Sequence, residues 1–114
     1  MRAKADALFV LGSALWVPAR HLIPALALKA RLPMVFHQAQ WVEAGGLMSY
    51  GFNFVGMWRR AAEMMASILR GAKAASIPME QPTVYELVFN LTTAKALGIK
   101  IPQSLLVRAD RVVE

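Results

Sequence analysis

The stretch that decides the fold is LPMVFHQAQWVEAGGLMSYG, residues 32–51. The apolar run at residues 32–37 predicts a short buried strand, and the run at residues 47–50 predicts a second one. Between them, residues 38–44 predict a brief helical turn that the glycine pair Gly45-Gly46 ends. Short apolar strands joined by helical segments are typical of the parallel sheet of an α/β protein.

The same alternation of strand and helix extends towards the amino terminus. Residues 6–11 form an apolar run of strand length, which ends at Gly12-Ser13. Pro18 can open a helix at its first position, so the next element is predicted as a helix over residues 18–30. Pro24 lies inside it and predicts a kink or a late helix start, because an interior proline removes a backbone hydrogen bond.

The clearest helix of the sequence covers residues 54–70, with Asn53 as N-cap and Gly71 as the residue after its end. We interpret its apolar stripe as core packing, with the opposite side in water. Arg59 and Glu63 lie one turn apart and predict an ion pair. The stripe consists of Phe54, Trp58, Ala61, Met65 and Ile68.

The last third of the chain predicts a loop, a strand and two short helices. Residues 84–90 alternate as a strand does, and Thr92 or Thr93 can cap a helix that Gly98 ends. Pro102 can open a further helix. The predicted fold class is therefore α/β, an open and mostly parallel sheet flanked by helices. Residues 1–114 are predicted to form a single α/β unit.

Composition excludes several classes of protein. A content of 57% apolar residues excludes a disordered tail, and the absence of cysteine excludes a disulfide framework. The net charge of +6 comes from scattered Lys and Arg residues, so we expect no nucleic-acid partner. The longest uncharged runs, residues 7–19 and 44–58, are too short to span a bilayer. Residues 7–17 resemble a secretory signal, but we interpret them as a strand and its loop.

Catalytic motifs are missing from the sequence. It contains no phosphate-binding glycine loop, no nucleophile elbow and no zinc-protease motif. His21 and His37 have no acidic neighbour in sequence, and no metal constellation can be assembled. We expect no catalytic residue, no metal and no cofactor, and an enzyme is the class of protein with the least support.

The remaining functional signal is geometric. In open α/β sheets, ligands bind outside the carboxyl ends of the strands, so the residues that follow each predicted strand are candidates. Their hydroxyl, imidazole, amide and phenol groups suit hydrogen bonding to a small polar solute. The candidate ligand-binding residues are Ser13, His37, Gln38, Ser49 and Tyr50.

Several spaced motifs, in one order along the chain, resemble the substrate-binding proteins of bacterial ABC importers, the family that includes tryptophan- and tyrosine-type binding proteins. The similarity covers nearly the whole chain from about Asp6. The motifs are Val42-Glu43-Ala44-Gly45-Gly46-Leu47-Met48-Ser49-Tyr50-Gly51, Arg59-Arg60-Ala61-Ala62, Ile68-Leu69-Arg70-Gly71-Ala72-Lys73, Glu80-Gln81-Pro82-Thr83, Glu86-Leu87-Val88 and Thr93-Ala94-Lys95-Ala96-Leu97-Gly98.

The resemblance implies a type I periplasmic-binding-protein fold, whose two α/β lobes close on a solute and then dock on a membrane permease driven by an ATPase subunit. Members of this family are about two to three times as long, and the resemblance is to their carboxyl-terminal part. The resemblance places Ser49, Tyr50 and Gly51 at the hinge where the chain passes between the lobes. It also implies a periplasmic or lipid-anchored location outside the inner membrane.

Two alternatives to solute binding stay open at this point. A partial sheet leaves an edge and an apolar face uncovered, which favours self-association without transport activity. A basic nucleic-acid binder is the other alternative, although the sequence has no clustered basic face.

Overall fold

A computed structural model describes residues 4–114 of the chain. Strands and helices alternate along it, as the sequence predicts. The elements are β1 (Leu8–Val10), a 3-10 turn (Ala14–Ala19), α1 (Leu22–Lys29), β2 (Met34–Phe36), α2 (Ala39–Glu43), β3 (Met48–Phe52), α3 (Phe54–Leu69), a 3-10 turn (Ala74–Ser76), β4 (Tyr85–Asn90), α4 (Leu91–Leu97), α5 (Gln103–Leu106) and β5 (Arg111–Val113).

The five strands form one sheet in the order β1-β2-β3-β4-β5. The pairs β1–β2, β2–β3 and β4–β5 are parallel. Between β3 and β4, the backbone N–H of Asn90 donates to Leu47 and that of Asn53 donates to Val84. Residue numbers rise along one strand as they fall along the other, so this pair is antiparallel. The predicted α/β class with a mostly parallel sheet is confirmed.

The described residues form two compact units. The first, unit 1, contains residues 4–51 and 86–114, and the second, unit 2, contains Phe52–Tyr85. The chain leaves unit 1 after Gly51 and returns to it at Glu86. The assignment of residues 1–114 to a single α/β unit stays a prediction.

The core of unit 1 lies between the first strands of the sheet and the helices that cover them. Phe36 and Trp41 are buried and stack with their ring centroids 5.0 Å apart. Gly46 ends the turn after α2, where a side-chain carbon would lie 2.5 Å from the Phe36 ring and 2.8 Å from the Trp41 carbonyl oxygen. The close approach of this stack to the backbone therefore requires glycine at position 46.

Helix α1 begins late, which confirms the alternative of a late start. Pro24 is its third residue, in the first turn, where a backbone N–H has no intrahelical partner. The predicted opening of this helix at Pro18 is wrong, because Pro18 lies inside the preceding 3-10 turn. Pro24 is also fully buried, so its ring contributes to the core.

Most predicted helix ends are confirmed. Asn53 caps α3 by accepting a 2.8 Å hydrogen bond from the Gly56 N–H, and Gly71 and Gly98 adopt positive φ after α3 and α4. The prediction that Thr92 or Thr93 caps α4 is wrong. Asn90 performs that role.

Asn90 is a buried polar residue with two structural tasks. Its Oδ1 accepts from the Thr93 N–H at 2.9 Å, and its Nδ2 donates to the Val42 carbonyl at 3.1 Å. The Thr93 hydroxyl donates to the Gly45 carbonyl at 3.0 Å. These bonds tie the start of α4 to the turn between α2 and β3.

Replacement of Asn90 by alanine is expected to lower the free energy of unfolding by about 2 kcal/mol, because the helix cap is lost and a buried carbonyl loses its donor. Asn53→Ala, which removes an exposed cap, is expected to cost about 1 kcal/mol. Urea unfolding of both variants measures the difference. Equal losses would contradict the role of the Asn90 donor bond.

The apolar stripe of α3 is largely exposed, whereas the sequence predicted that it is buried. No residue of α3 is buried, and Trp58 is 72% exposed. The interpretation of this stripe as core packing is therefore wrong for the described residues. The periodicity identifies an apolar face correctly, but most of that face is exposed, and of the stripe only Phe54 is half-buried.

The predicted ion pair of Arg59 with Glu63 is also wrong. Glu63 pairs instead with Arg60, which forms a second, two-bond pair with Glu80. Hydrogen bonding to Arg60 lowers the pKa of Glu80. These exposed pairs fix the segment around residue 80 beside α3 within unit 2.

Strand β5 is an element that the sequence did not indicate. It has only three residues and begins with a charged one, Arg111. Its position depends on Asp110, whose N–H donates to the Leu87 carbonyl and whose carboxylate accepts from the Leu87 N–H at 2.7 Å. A strand whose position depends on residues distant in sequence has little local sequence pattern by which it can be predicted.

Candidate functional site

The candidate site lies in unit 1, at the edge of the sheet where β1, β2 and β3 reach their carboxyl ends. These three strands are parallel, so the residues that follow β1 and β2 lie at the same edge. Ser13 follows β1, and His37 and Gln38 follow β2. The sequence predicted that β3 ends at residue 50, but it extends to Phe52 and so contains residues 49–51.

Backbone contacts bring the ends of the three strands together. A side-chain carbon at Gly12 would lie 3.1 Å from the imidazole ring of His37. A side-chain carbon at Gly51 would overlap the carbonyl oxygen of His37 and lie 3.0 Å from its carbonyl carbon. His37 is therefore enclosed between two glycines, one after β1 and one in β3.

The imidazole of His37 also lies near the aromatic stack of the core. Its ring centroid is 6.4 Å from that of Trp41, with the two planes tilted by 52°. The His37 side chain is half-buried. Packing against fixed neighbours limits the orientations that this imidazole can adopt.

Ser49 and Tyr50 occupy opposite faces of the sheet, because successive side chains of a strand alternate. Ser49 pairs in register with the buried Phe36 and is 1% exposed, whereas Tyr50 is 57% exposed. Tyr50 thus offers its phenol to solvent. Ser49 Oγ is buried and has no hydrogen-bond partner within residues 4–114.

The Ser49→Ala variant is expected to raise the free energy of unfolding by about 1 kcal/mol, because a buried hydroxyl without a partner destabilises the folded state. Thermal and urea unfolding of the purified chain measure the change. Ser13→Ala serves as a control, since it removes a hydroxyl that does have a partner. A clear loss of stability in Ser49→Ala would show that its hydroxyl is bonded in the folded protein.

The two other candidates have different local roles. Ser13 is half-buried, and its Oγ accepts a 3.3 Å hydrogen bond from the Leu15 N–H, which caps the 3-10 turn. Gln38 precedes α2 as its N-cap residue, but its side chain makes no capping bond. The Ser13 oxygen thus already accepts one local hydrogen bond, although its O–H can still donate, whereas the Gln38 amide makes no capping bond.

The candidate set consists of two hydroxyl groups, an imidazole, an amide and a phenol. It combines donors and acceptors on a fixed backbone, but it contains no carboxylate and no lysine or arginine. Such a set can bind a polar solute by hydrogen bonds and aromatic contact.

Two features of this edge were not found from the sequence. One is the tilted contact of the Trp41 and His37 rings, and the other is the close approach of Gly51 to the His37 backbone. The glycine that follows Tyr50 is the only sequence signal for the second feature, since glycine in a strand indicates a close backbone approach.

The described residues offer neither a cluster of metal ligands nor a helix that could cross a membrane. Within residues 4–114, no group of three or more His, Asp and Glu side chains is arranged to hold a metal ion. Over the same range, no helix has the length and apolar content needed to cross a bilayer.

Solved structures of other proteins share this fold. A conserved domain protein from Vibrio cholerae O1 biovar eltor aligns with 29% identity and a TM-score of 0.87, covering 95% of this chain and 36% of its own. The ABC domain in complex with L-Trp from Streptococcus pneumoniae aligns with 27% identity and a TM-score of 0.86, covering 96% of this chain and 38% of its own. The chain thus spans little more than a third of these proteins.

A ligand-free substrate-binding protein with adhesive properties from Clostridium difficile is similar in fold alone, with 23% identity, a TM-score of 0.65, and 95% of this chain and 36% of its own covered. No curated protein matches the chain. The family profile described as ABC transporter substrate binding protein matches residues 1–113. The chain therefore belongs to the ABC transporter substrate-binding protein family.

Proposed function

We propose that the chain is a solute-binding component of a bacterial ABC importer for a small organic solute such as an amino acid. The observation that carries the proposal is the hydrogen-bonding edge of the sheet in a member of this family. The relative from Streptococcus pneumoniae, whose structure contains L-Trp, supports an amino acid as the solute class. The proposed role is binding and release without catalysis.

The proposed ligand-binding residues are those at this edge. Tyr50 offers an exposed aromatic face and a phenol, and Gln38 offers an amide without a capping bond. His37 offers an imidazole held between Gly12 and Gly51. Ser49 and Ser13 complete the proposed set.

The proposed hinge consists of Ser49, Tyr50 and Gly51. The boundary between the two compact units follows Gly51 directly, which supports a hinge at this place. A solute drives closure of the lobes only to the extent that the closed form binds this solute more tightly than the open form does. A change of backbone angles at these three residues would move the chain that follows them.

The wider transport role is proposed from family membership. The liganded form would dock on a membrane permease with its ATPase subunit, outside the inner membrane, in the periplasm or on a lipid anchor. We propose no nucleic-acid partner, because the charge of +6 is spread over the whole sequence. Retention on DNA that falls steeply with salt would contradict that part of the proposal.

Calorimetric titration with a panel of amino acids tests the function. The isolated chain presents one side of the proposed cleft, so we expect dissociation constants of about 1 mM or weaker. Tyr50→Ala is expected to weaken binding further, whereas Tyr85→Ala in unit 2 is a control. Micromolar affinity of the monomeric chain for an amino acid would contradict the two-sided cleft.

Self-association is a second candidate role, which one observation favours. Strand β1 lies at an edge of the sheet, and Phe9, Leu11 and Leu15 near it are exposed. An uncovered apolar edge strand can pair with the same strand of another copy. Phe9→Lys is expected to abolish such pairing. A monomer in sedimentation at high concentration of the unaltered chain would rule out this role.

A further inference from the structure

Unit 2 contains no buried residue. Each of its residues is half-buried or exposed, and the large apolar side chains Trp58 and Leu69 are 72% and 84% exposed. All buried residues of the described chain belong to unit 1, which has Phe36 and Trp41 in its core. Burial of apolar surface is the dominant favourable contribution to folding. The contacts within unit 2 therefore lack the main source of stability that unit 1 has.

Helix α3, the largest element of unit 2, is weakly stabilised by its own sequence. It has 16 residues, and most helices in proteins derive their stability from the packing of an apolar face rather than from local propensity. Its local support consists of the Asn53 cap and the bond of Arg60 to Glu63 one turn away. Unit 2 is also shorter than the roughly 40 residues that an independent core usually needs.

The two ends of unit 2 meet at its base. The backbone N–H of Asn53 donates to the Val84 carbonyl at 3.2 Å, and the rings of Phe52 and Tyr85 lie with their centroids 4.7 Å apart. Tyr85 is 47% exposed, so water reaches this contact. The base connects unit 2 to the strands β3 and β4 without covering α3.

Arg60 makes the polar contacts that hold the rest of unit 2 together, which we call the latch. Its guanidinium donates to Glu80 at 2.8 and 2.5 Å and to Glu63 at 2.9 Å. The three side chains are between 37% and 56% exposed. Ion pairs in water contribute little to stability, because solvent and salt screen the attraction. The latch is therefore weak.

We infer that unit 2 is a locally unfolding segment, in which α3 and residues 70–84 open and close together while unit 1 stays folded. Proteins open in contiguous cooperative units, and the units with few buried contacts open most often. The latch sets how often unit 2 opens. This inference goes beyond solute binding and does not depend on it, because the edge that carries His37 belongs to unit 1.

Native-state hydrogen exchange of the full 114-residue chain tests the inference. Relative to their intrinsic rates, the hydrogen-bonded amides of α3 are expected to exchange at least about 100-fold faster than those of β2 and α4. Equal protection of α3 and β2 would mean that the chain opens as one cooperative unit, which would overturn the inference. Protection of α3 that rises with protein concentration would show that a second copy covers the helix, and would also overturn it.

Limited trypsin cleavage gives an independent readout. Arg59 and Arg60 lie inside α3 and Lys95 lies inside α4, so cleavage after any of them requires the helix to unfold. Cleavage after Arg59 or Arg60 is expected to be at least about 100-fold faster than cleavage after Lys95. Equal rates at the two helices would count against a separate opening of unit 2.

Arg60→Gln tests the latch. The variant loses the bonds to Glu63 and Glu80, so exchange in α3 is expected to rise by about threefold while exchange in β2 stays unchanged. Arg59→Gln is the matched control, because Arg59 is the neighbouring residue of α3 and forms no ion pair within residues 4–114. Unchanged exchange in β2 shows for each variant that unit 1 remains folded. Equal effects of the two variants on α3 would overturn the role of Arg60.

Discussion

Trp41→Ala is expected to lower the free energy of unfolding by about 3–5 kcal/mol, the largest effect in the chain. Trp41 is 1% exposed, and it stacks on Phe36 at the centre of unit 1. Its removal leaves a cavity that the rigid backbone near Gly46 cannot fill. Since small domains have a total stability of about 5–15 kcal/mol, much of the folded population is expected to be lost.

Urea unfolding monitored by circular dichroism measures this effect. Trp16→Ala is the matched control in the same unit, because Trp16 is 45% exposed and its loss is expected to cost about 1 kcal/mol. Similar losses for the two variants would show that the stacked pair does not organise the core. An undiminished transition in Trp41→Ala would contradict the packing described for unit 1.

Gly51→Ala is expected to lower the free energy of unfolding by about 3 kcal/mol and to disturb the candidate site as well. A methyl group at position 51 overlaps the backbone of His37, which cannot move without separating β3 from β2. This conflict differs from an ordinary packing clash, because a backbone atom has no alternative rotamer.

Gly12→Ala is the matched control for this effect. A methyl group at position 12 meets the same residue, but at its imidazole ring, which can shift by a few tenths of an ångström. We expect a cost below about 1 kcal/mol. Thermal unfolding and the amide spectra of His37 and its neighbours distinguish the two variants. A Gly51→Ala protein as stable as the unaltered chain would mean that these strand ends are not in contact.

The sequence predicted the architecture well where the signal is local. The apolar runs predicted β1, β2 and β3, and Asn53 and Gly71 marked the ends of α3, because capping and strand burial depend on neighbouring residues. Local signals failed where distant residues decide. Strand β5 depends on a contact of Asp110 with Leu87, and Asn90 rather than a threonine caps α4 because its amide also reaches Val42.

The candidate site was predictable in position but not in detail. Strand order and the parallel rule placed Ser13, His37 and Gln38 at one edge. Ser49 and Tyr50 lie inside the predicted strand, so they alternate between its faces, but the sequence did not show which of the two faces is buried, and it placed the end of β3 two residues too early. The apolar stripe of α3 shows the same limit, because periodicity identifies a face without identifying the surface that covers it.

The central claim is that the edge formed by the ends of β1, β2 and β3 binds a small polar solute. Amide shifts of the isotope-labelled chain during titration with L-tryptophan test it most directly. The predicted changes are centred on Gly12, His37 and Tyr50 and saturate only above about 1 mM. Changes centred on Asn90 at the opposite edge, or saturation at micromolar concentration, would contradict the claim.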